Sequence, residues 1–288
     1  MKVSHLFSCL AAGLALAACR DSGPTFVTQE PQAYVRFVNA SPDSPNVTAR
    51  FVDKVENMFT WDRLGFRGQS GNYIAVNAGP RNLRVFMSGQ GNSTTIDSAS
   101  TILLDSTGIQ LQPQTYYTMV MTGRVLPRRG TAPNNARVTV FTDTLPVATA
   151  IAANQINVRV YNLSDVGPVD VTVTSNAAGA ATAATISNVP VLGRSAYVAV
   201  PALTTPALYT FGVRNAGAAL FSATPNVAGQ AFAAASVSGP ALDPVAGVQQ
   251  GRSVLSLFVF PAGIAGTPTA SVTARGVDLV ADQAPPRP

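Results

Sequence analysis

The sequence predicts an all-β protein, two tandem immunoglobulin-like antiparallel β-sandwich domains behind an N-terminal leader. Three observations predict it. Residues alternate at a period of two: Val169, Val171 and Val173 against Asp170, Thr172 and Thr174, and Leu83, Val85 and Met87 against Asn82, Arg84 and Phe86. Turn-forming groups separate these runs, among them Ser41-Pro42-Asp43, Ala78-Gly79-Pro80, Ser88-Gly89 and Val166-Gly167-Pro168. Blocks of similar sequence also recur in one order along the chain, at a spacing too long for a solenoid and suited to duplicated domains. Seven or so short strands per hundred-odd residues, without intervening helices, match a sandwich.

The leader comes first. Lys2 supplies a positive start, and Leu6 to Ala18 form a 13-residue apolar run ending in small residues. That is the build of an export signal and falls short of the roughly 20 apolar residues a spanning helix needs. Leu16-Ala17-Ala18-Cys19 resembles the lipobox of bacterial lipoproteins, in which the cysteine is acylated and becomes the first mature residue. The resemblance implies that residues 1–18 are removed as a lipoprotein signal peptide and that lipidated Cys19 holds the protein to a membrane. One acyl chain binds only marginally, whereas the several chains of a lipoprotein anchor stably. Arg20 stands where lipoproteins retained at the inner membrane carry Asp, which points to the outer membrane of a bacterial cell envelope. Residues 19–32, punctuated by Pro24 and Pro31, suit an extended tether.

Tyr34 to Ser41 (YVRFVNAS) then aligns with Asn157 to Ser164 (NVRVYNLS), and Tyr73 to Ala78 with Tyr197 to Ala202. Tyr117 to Gly123 is matched with Ala233 to Gly239, and Val138 to Phe141 with Val254 to Leu257. These blocks divide the chain into a first domain at 33–147, a linker at 148–155, a second domain at 156–263, and a C-terminal strand with a Pro-rich tail at 264–288. The first domain carries larger insertions, at 53–71, 88–101 and 124–137. Each domain holds its own strand set and is expected to fold by itself.

Within the first block, Val35 to Val47 (VRFVNASPDSPNV) resembles the opening strand and turn of a bacterial exported family, domain of unknown function 4397. Its typical opening reads V-x-x-x-H-A-S-P-D-A-P-x-V-D. Ala40, Ser41, Pro42, Asp43 and Pro45 match it, with Asn39 in place of the family histidine. The second domain keeps Ser164, Pro168 and Val169-Asp170-Val171. The resemblance spans roughly 33–263. It implies an immunoglobulin-like sandwich, often in tandem on cell-surface proteins, and brings no activity with it.

Residue types narrow the chemistry. His5 and Cys9 leave with the signal and Cys19 is acylated, so the mature chain offers no Ser-His-Asp or Cys-His machinery, no imidazole- or thiolate-based zinc site and no internal disulfide. No catalytic residue, metal site or cofactor is expected. The nearest carboxylate cluster, Asp53, Glu56 and Asp62, is mixed with Lys54, Arg63 and Arg67 and reads as a solvated charged loop. Asp43, between a serine and two prolines, reads as a turn residue bonding nearby backbone amides. Charged residues form only 11% of the chain against a usual share of about 25%, and the formal charge of +5 is mild for this length. With no aromatic platform beside the arginines, nucleic acid is not an expected partner.

Two features remain as candidate ligand contacts. Trp61, the only tryptophan, sits in the first insertion beside Leu64 and Phe66 and would stack on a sugar or protein if exposed, although apolar loop residues more often cap a sandwich. Arg124, Arg128 and Arg129, with Arg137, form the densest basic stretch and would suit a phosphate-rich glycolipid or other polyanion. The expectation is a non-enzymatic cell-envelope lipoprotein with a binding or surface-structural role, its partners being the membrane and an envelope glycan, glycolipid or protein. The alternative is carbohydrate or polyanion recognition by loops of the first domain.

Overall fold

The computed structural model describes residues 30–54, 60–88, 101–126, 135–234 and 241–285; Cys19, Glu56, Arg128 and Arg129 lie outside them. Eight strands precede the linker: β1 Gln32–Asn39, β2 Val47–Phe51, β3 Thr60–Leu64, β4 Ile74–Asn77, β5 Gly79–Met87, β6 Ile102–Leu111, β7 Tyr116–Thr122 and β8 Arg137–Asp143. Nine follow it: β9 Gln155–Asn162, β10 Val169–Ser175, β11 Thr182–Val189, β12 Gly193–Arg194, β13 Val198–Pro201, β14 Tyr209–Asn215, β15 Ala218–Ala223, β16 Val254–Phe260 and β17 Gly276–Gln283. A single 3-10 turn, Ala148–Ala150, is the only helix among the described residues.

Each half is a two-sheet sandwich with the same topology. The first pairs sheet β4-β1-β7-β8 with sheet β3-β2-β5-β6; the second pairs β12-β9-β16-β17, with β13 also on β9, against β11-β10-β14-β15. The alternating side chains meet between the sheets. Val35, Phe37, Val47, Val85 and Met119 are fully buried in the first core, and Val158, Val171, Val173, Phe211 and Leu257 in the second. Neighbouring strands are antiparallel with one exception per half: β1 runs parallel to β7, and β9 parallel to β16. The opening strand and the penultimate strand thus lie side by side at the centre of one sheet in each half.

That register corrects two of the four repeat matches. Arg36 pairs with Thr118 across β1 and β7 as Arg159 pairs with Ser256 across β9 and β16, so β7 corresponds to β16 and β8 to β17. β16 therefore takes the place that the matching gave to Ala233 to Gly239, a block of which residues 235–239 lie outside the described residues. Between β15 and β16 the second half makes a long excursion, tied by the isolated bridges Gln230 to Val245 and Ala233 to Leu242, which displaces its last two strands along the chain. The C-terminal strand β17 therefore completes the second sandwich as a sheet edge.

A second difference concerns the faces of the inner strands. Alternation predicts one face in the core and one in water, yet β16 is buried at every position. The sheets containing β1 and β9 pack on each other through their outer faces. Val38 and Val120 of the first half meet Tyr161, Phe258, Phe260 and Val280 of the second, with Phe141 and Leu192 at the edge. Four sheets are thus stacked, and residues 32–288 form one compact unit.

Candidate functional site

The turn after the first strand is built the same way twice. Asn39 is fully buried at the end of β1; its Nδ2 donates to the Leu64 carbonyl (3.1 Å), and its Oδ1 accepts from Ser41 N (3.2 Å). Asn162, at the end of β9, donates to the Gly167 and Val189 carbonyls (both 2.9 Å) and accepts from Ser164 N (3.1 Å) and Ser164 Oγ (2.6 Å). An amide can donate and accept at once, so one side chain ends the strand and ties down two loops. Asp43 does more than close a local turn. Its carboxylate is buried and accepts from the backbone of Val125 (2.9 Å) and Leu126 (3.3 Å), clamping the loop that leaves β7. Ser41 Oγ adds a bond to the Gly123 carbonyl (2.8 Å). Gly123 has φ +80, and a Cβ there would lie 2.4 Å from the Asn135 carbonyl oxygen, so the close approach of the 123 and 135 segments needs glycine.

These turns frame a cleft where the two sandwiches meet. Its volume is about 340 Å³. From the first half it is lined by Ala40, Pro42, Thr122, Arg124, Asn135 and Arg137, and from the second by Leu163, Ser164, Leu192 and Pro261 among others. Thr122 and Arg137 are direct cross-strand partners. Asp165, also at the rim, is held by Arg275 (3.0 Å). The segment after β16 seals the far side, with Ile264 N (3.0 Å) and Thr269 Oγ1 donating to the Pro42 carbonyl. Arg67 crosses from the first half to the Pro261 carbonyl (2.7 Å) and the Ala274 carbonyl.

Behind the cleft, the interface holds a crossed pair of ion pairs. Arg36 of β1 binds Asp282 of β17 (2.5 Å), while Arg159 of β9 binds Asp143 of β8 (3.0 Å) and lies 3.5 Å from Asp282; all four side chains are fully buried. Each half supplies the carboxylate for the other half's arginine. Arg36 Nε donates to Thr118 Oγ1 and Arg159 Nε to Ser256 Oγ, both at 2.8 Å. Asp143 accepts from Tyr73 (2.9 Å), Thr118 (2.5 Å) and Tyr161. Asp282 accepts from Tyr197 and Ser256, both at 2.6 Å. The guanidiniums also lie over rings, Arg36 over Tyr73 (4.7 Å) and Phe258 (5.0 Å), Arg159 over Tyr197 (4.6 Å) and Tyr161 (4.8 Å).

Burial alone would weaken the charge on both arginines, but Asp282, the facing tyrosines and Asp143 outweigh it and push both above the usual arginine range. Burial, reinforced by the carboxylates, drives the Tyr73, Tyr161 and Tyr197 hydroxyls well above the ordinary phenol range. They stay protonated and serve as donors. Composition alone missed this cluster. Its trace in the sequence is the repeat itself, which places Arg36 and Arg159, and Tyr73 and Tyr197, at equivalent positions in a chain poor in charge.

The sequence-level candidates separate clearly. Trp61 is 3% exposed, stacked 5.9 Å from Phe37 and edge-on to Phe51, so packing closes its ring to any ligand. It caps the first core. Arg124 lines the cleft; Arg128 and Arg129 lie outside the described residues. Asp53 and Asp62 do not share a site. Asp53 binds the fully buried Arg81 (3.0 Å), and although partial burial opposes its charge, bonds from Asn82 N and Arg81 hold it below the usual carboxylate range. Asp62 accepts from Thr48 (2.7 Å) and pairs with Arg63 (3.4 Å).

Residues 33–172 match the family model described as domain of unknown function (DUF4397), covering the first sandwich, the linker, β9 and the start of β10. Among solved structures, the fimbrial anchor protein Mfa2 from Porphyromonas gingivalis aligns with 88% of this chain and 100% of its own, at 11% identity and a TM-score of 0.23. A candidate adhesin from Bacteroides ovatus aligns with 89% of this chain and 97% of its own, at 13% identity and a TM-score of 0.23. None of the curated proteins matches the sequence.

Proposed function

We propose, from the premise that residues 33–172 match the DUF4397 family model, that this chain is a non-catalytic cell-envelope lipoprotein. Two sandwiches locked into one body are held on a membrane by acylated Cys19, with residues 19–32 as the spacer. The observation that carries the one-body reading is the crossed Arg36–Asp282 and Arg159–Asp143 pairing, which sets four fully buried charges between the halves. A breaking of either pair leaves a buried charge without compensation, which costs roughly 3–5 kcal/mol. Such a body suits presentation of a surface at a fixed geometry, as a binding or surface-structural element. Membrane fractionation of cells carrying Cys19→Ala tests the anchor. Release into the soluble fraction, with loss of acyl mass at residue 19, is expected; unchanged membrane association refutes it.

Recognition of a carbohydrate or polyanion by loops of the first sandwich is the second reading. The position of Arg124 on the wall of the inter-half cleft favours it, with Arg137 beside it. The burial of Trp61 shifts that reading from aromatic stacking to charge. Binding to the outer-membrane glycolipid that weakens steeply with salt is the expected signature.

A further inference from the structure

We infer that the cleft between the two sandwiches binds an acidic saccharide, with a uronic-acid carboxylate between Arg124 and Arg137. The inference rests on the recognition reading above and names its site and ligand class. Several arginines of this molecule are committed to acceptors: Arg36 to Asp282, Arg81 to Asp53, Arg159 to Asp143 and Arg275 to Asp165, with Arg67 and Arg252 on backbone carbonyls. Arg124 and Arg137 are set apart by their place on the cleft. Both line the cleft, and among the described residues neither guanidinium has an ion-pair or hydrogen-bond partner, the bond to Asn135 Oδ1 coming from the Arg124 backbone.

A second observation points to the same place. Thr122, the cross-strand partner of Arg137, is 6% exposed and lines the cleft, and its Oγ1 has no hydrogen-bond partner among the described residues. A buried hydroxyl left unmatched costs free energy that a ligand hydroxyl recovers. The one carboxylate on the rim, Asp165, is already neutralised by Arg275, so the lining stays positive. Ala40, Leu163, Leu192 and Pro261 add an apolar wall for the carbon face of a pyranose ring. The volume of about 340 Å³ stands at the small end of the range of roughly 300–1,000 Å³ typical of ligand sites, which suits one or two sugar rings. A guanidinium fork recognises a planar carboxylate by two parallel hydrogen bonds, and the hydroxyl and apolar wall distinguish a sugar acid from a bare anion.

Calorimetric titration of the full-length protein in detergent tests this, with tetragalacturonate as probe and maltotetraose and inorganic phosphate as comparisons. Tetragalacturonate is expected to bind at least about tenfold more tightly than either. Arg124→Ala and Arg137→Ala are each expected to weaken it by about tenfold or more, the loss that follows removal of a charge-assisted hydrogen bond, with the melting temperature unchanged. Ala262→Trp, which fills the cleft, should abolish binding. Phosphate binding as tightly as tetragalacturonate overturns the saccharide assignment. Tetragalacturonate binding that survives all three variants overturns the cleft and leaves recognition by another surface standing. No binding of tetragalacturonate overturns the inference; the recognition reading falls with it only where outer-membrane glycolipid also fails to bind, while the anchored double sandwich keeps its own test at Cys19.

Discussion

Replacing Asp282 with asparagine probes the lock between the halves with almost no change in volume. Asp282 takes a bond from Arg36 (2.5 Å), one each from Tyr197 and Ser256 (2.6 Å), and lies 3.5 Å from Arg159. An amide in its place keeps one acceptor, points an N–H group at donors and removes the charge that two buried guanidiniums need. Loss of one partner from a buried pair costs about 3–5 kcal/mol. For a unit of this size each kcal/mol corresponds to roughly 2–4 °C, so Asp282→Asn should lower Tm by about 6–20 °C. Asp105→Asn is the internal control. That carboxylate pairs with Arg84 at 2.5 Å on the surface, both side chains about a third exposed, and such pairs contribute about 0.2–1 kcal/mol. Differential scanning fluorimetry of both variants beside the wild type reads the difference. Equal, small shifts in the two would refute the claim that the interface charges fix the halves. Replacing Arg36, Arg159, Asp143 and Asp282 together with apolar residues should recover stability lost in the single variant, because removing a whole buried network costs less than breaking it.

Three further outcomes follow from the same geometry. Asp43→Ala strands the Val125 and Leu126 amides and should cost about 2–3 kcal/mol, with hydrogen exchange at those two amides speeding up; unchanged protection there would exclude the clamp. The folded state holds Tyr73, Tyr161 and Tyr197 protonated above the unfolded pKa near 10, so their contribution is complete below pH 10 and declines as pH rises past it. The slope is up to about 1.4 kcal/mol per pH unit for each, so the urea midpoint should drop clearly between pH 9 and pH 11 and less so in Tyr197→Phe; equal midpoints would count against buried phenols. Trp61 fluorescence should be blue-shifted and poorly quenched by acrylamide, and titration with envelope glycans should leave it unchanged.

Much of this fold is legible residue by residue. Val169 to Thr174 alternate because one face of β10 enters the second core, and that is what β10 does. Asn39 and Asn162, Arg36 and Arg159, and Tyr73 and Tyr197 were alignable because each does the same job in both halves, so few other residues serve there. The later blocks misled for the opposite reason. Core strands of Ala, Val and Thr resemble one another whatever their place, and the excursion between β15 and β16 moved the true counterparts β16 and β17 out of register. The outer-face packing of the central strands had one visible trace, the unbroken apolar run VLSLFVF of β16, the pattern of a strand buried on both sides. The ion pairs left only the recurrence of Arg36 at Arg159, with no sign of which carboxylates they meet. Arg36 and Asp282 lie 246 residues apart, and only the stacking of the two sandwiches brings them together. Of the candidate contacts, Arg124 stands on the cleft because its neighbour Gly123 lets the 123 and 135 segments close on each other, while Trp61 followed its apolar neighbours into the core.

The locking of two sandwiches into one cooperative body is tested most directly by scanning calorimetry of residues 32–288. The crossed pairs predict one endotherm whose calorimetric and van't Hoff enthalpies agree. Two separable transitions, one per sandwich, would contradict it.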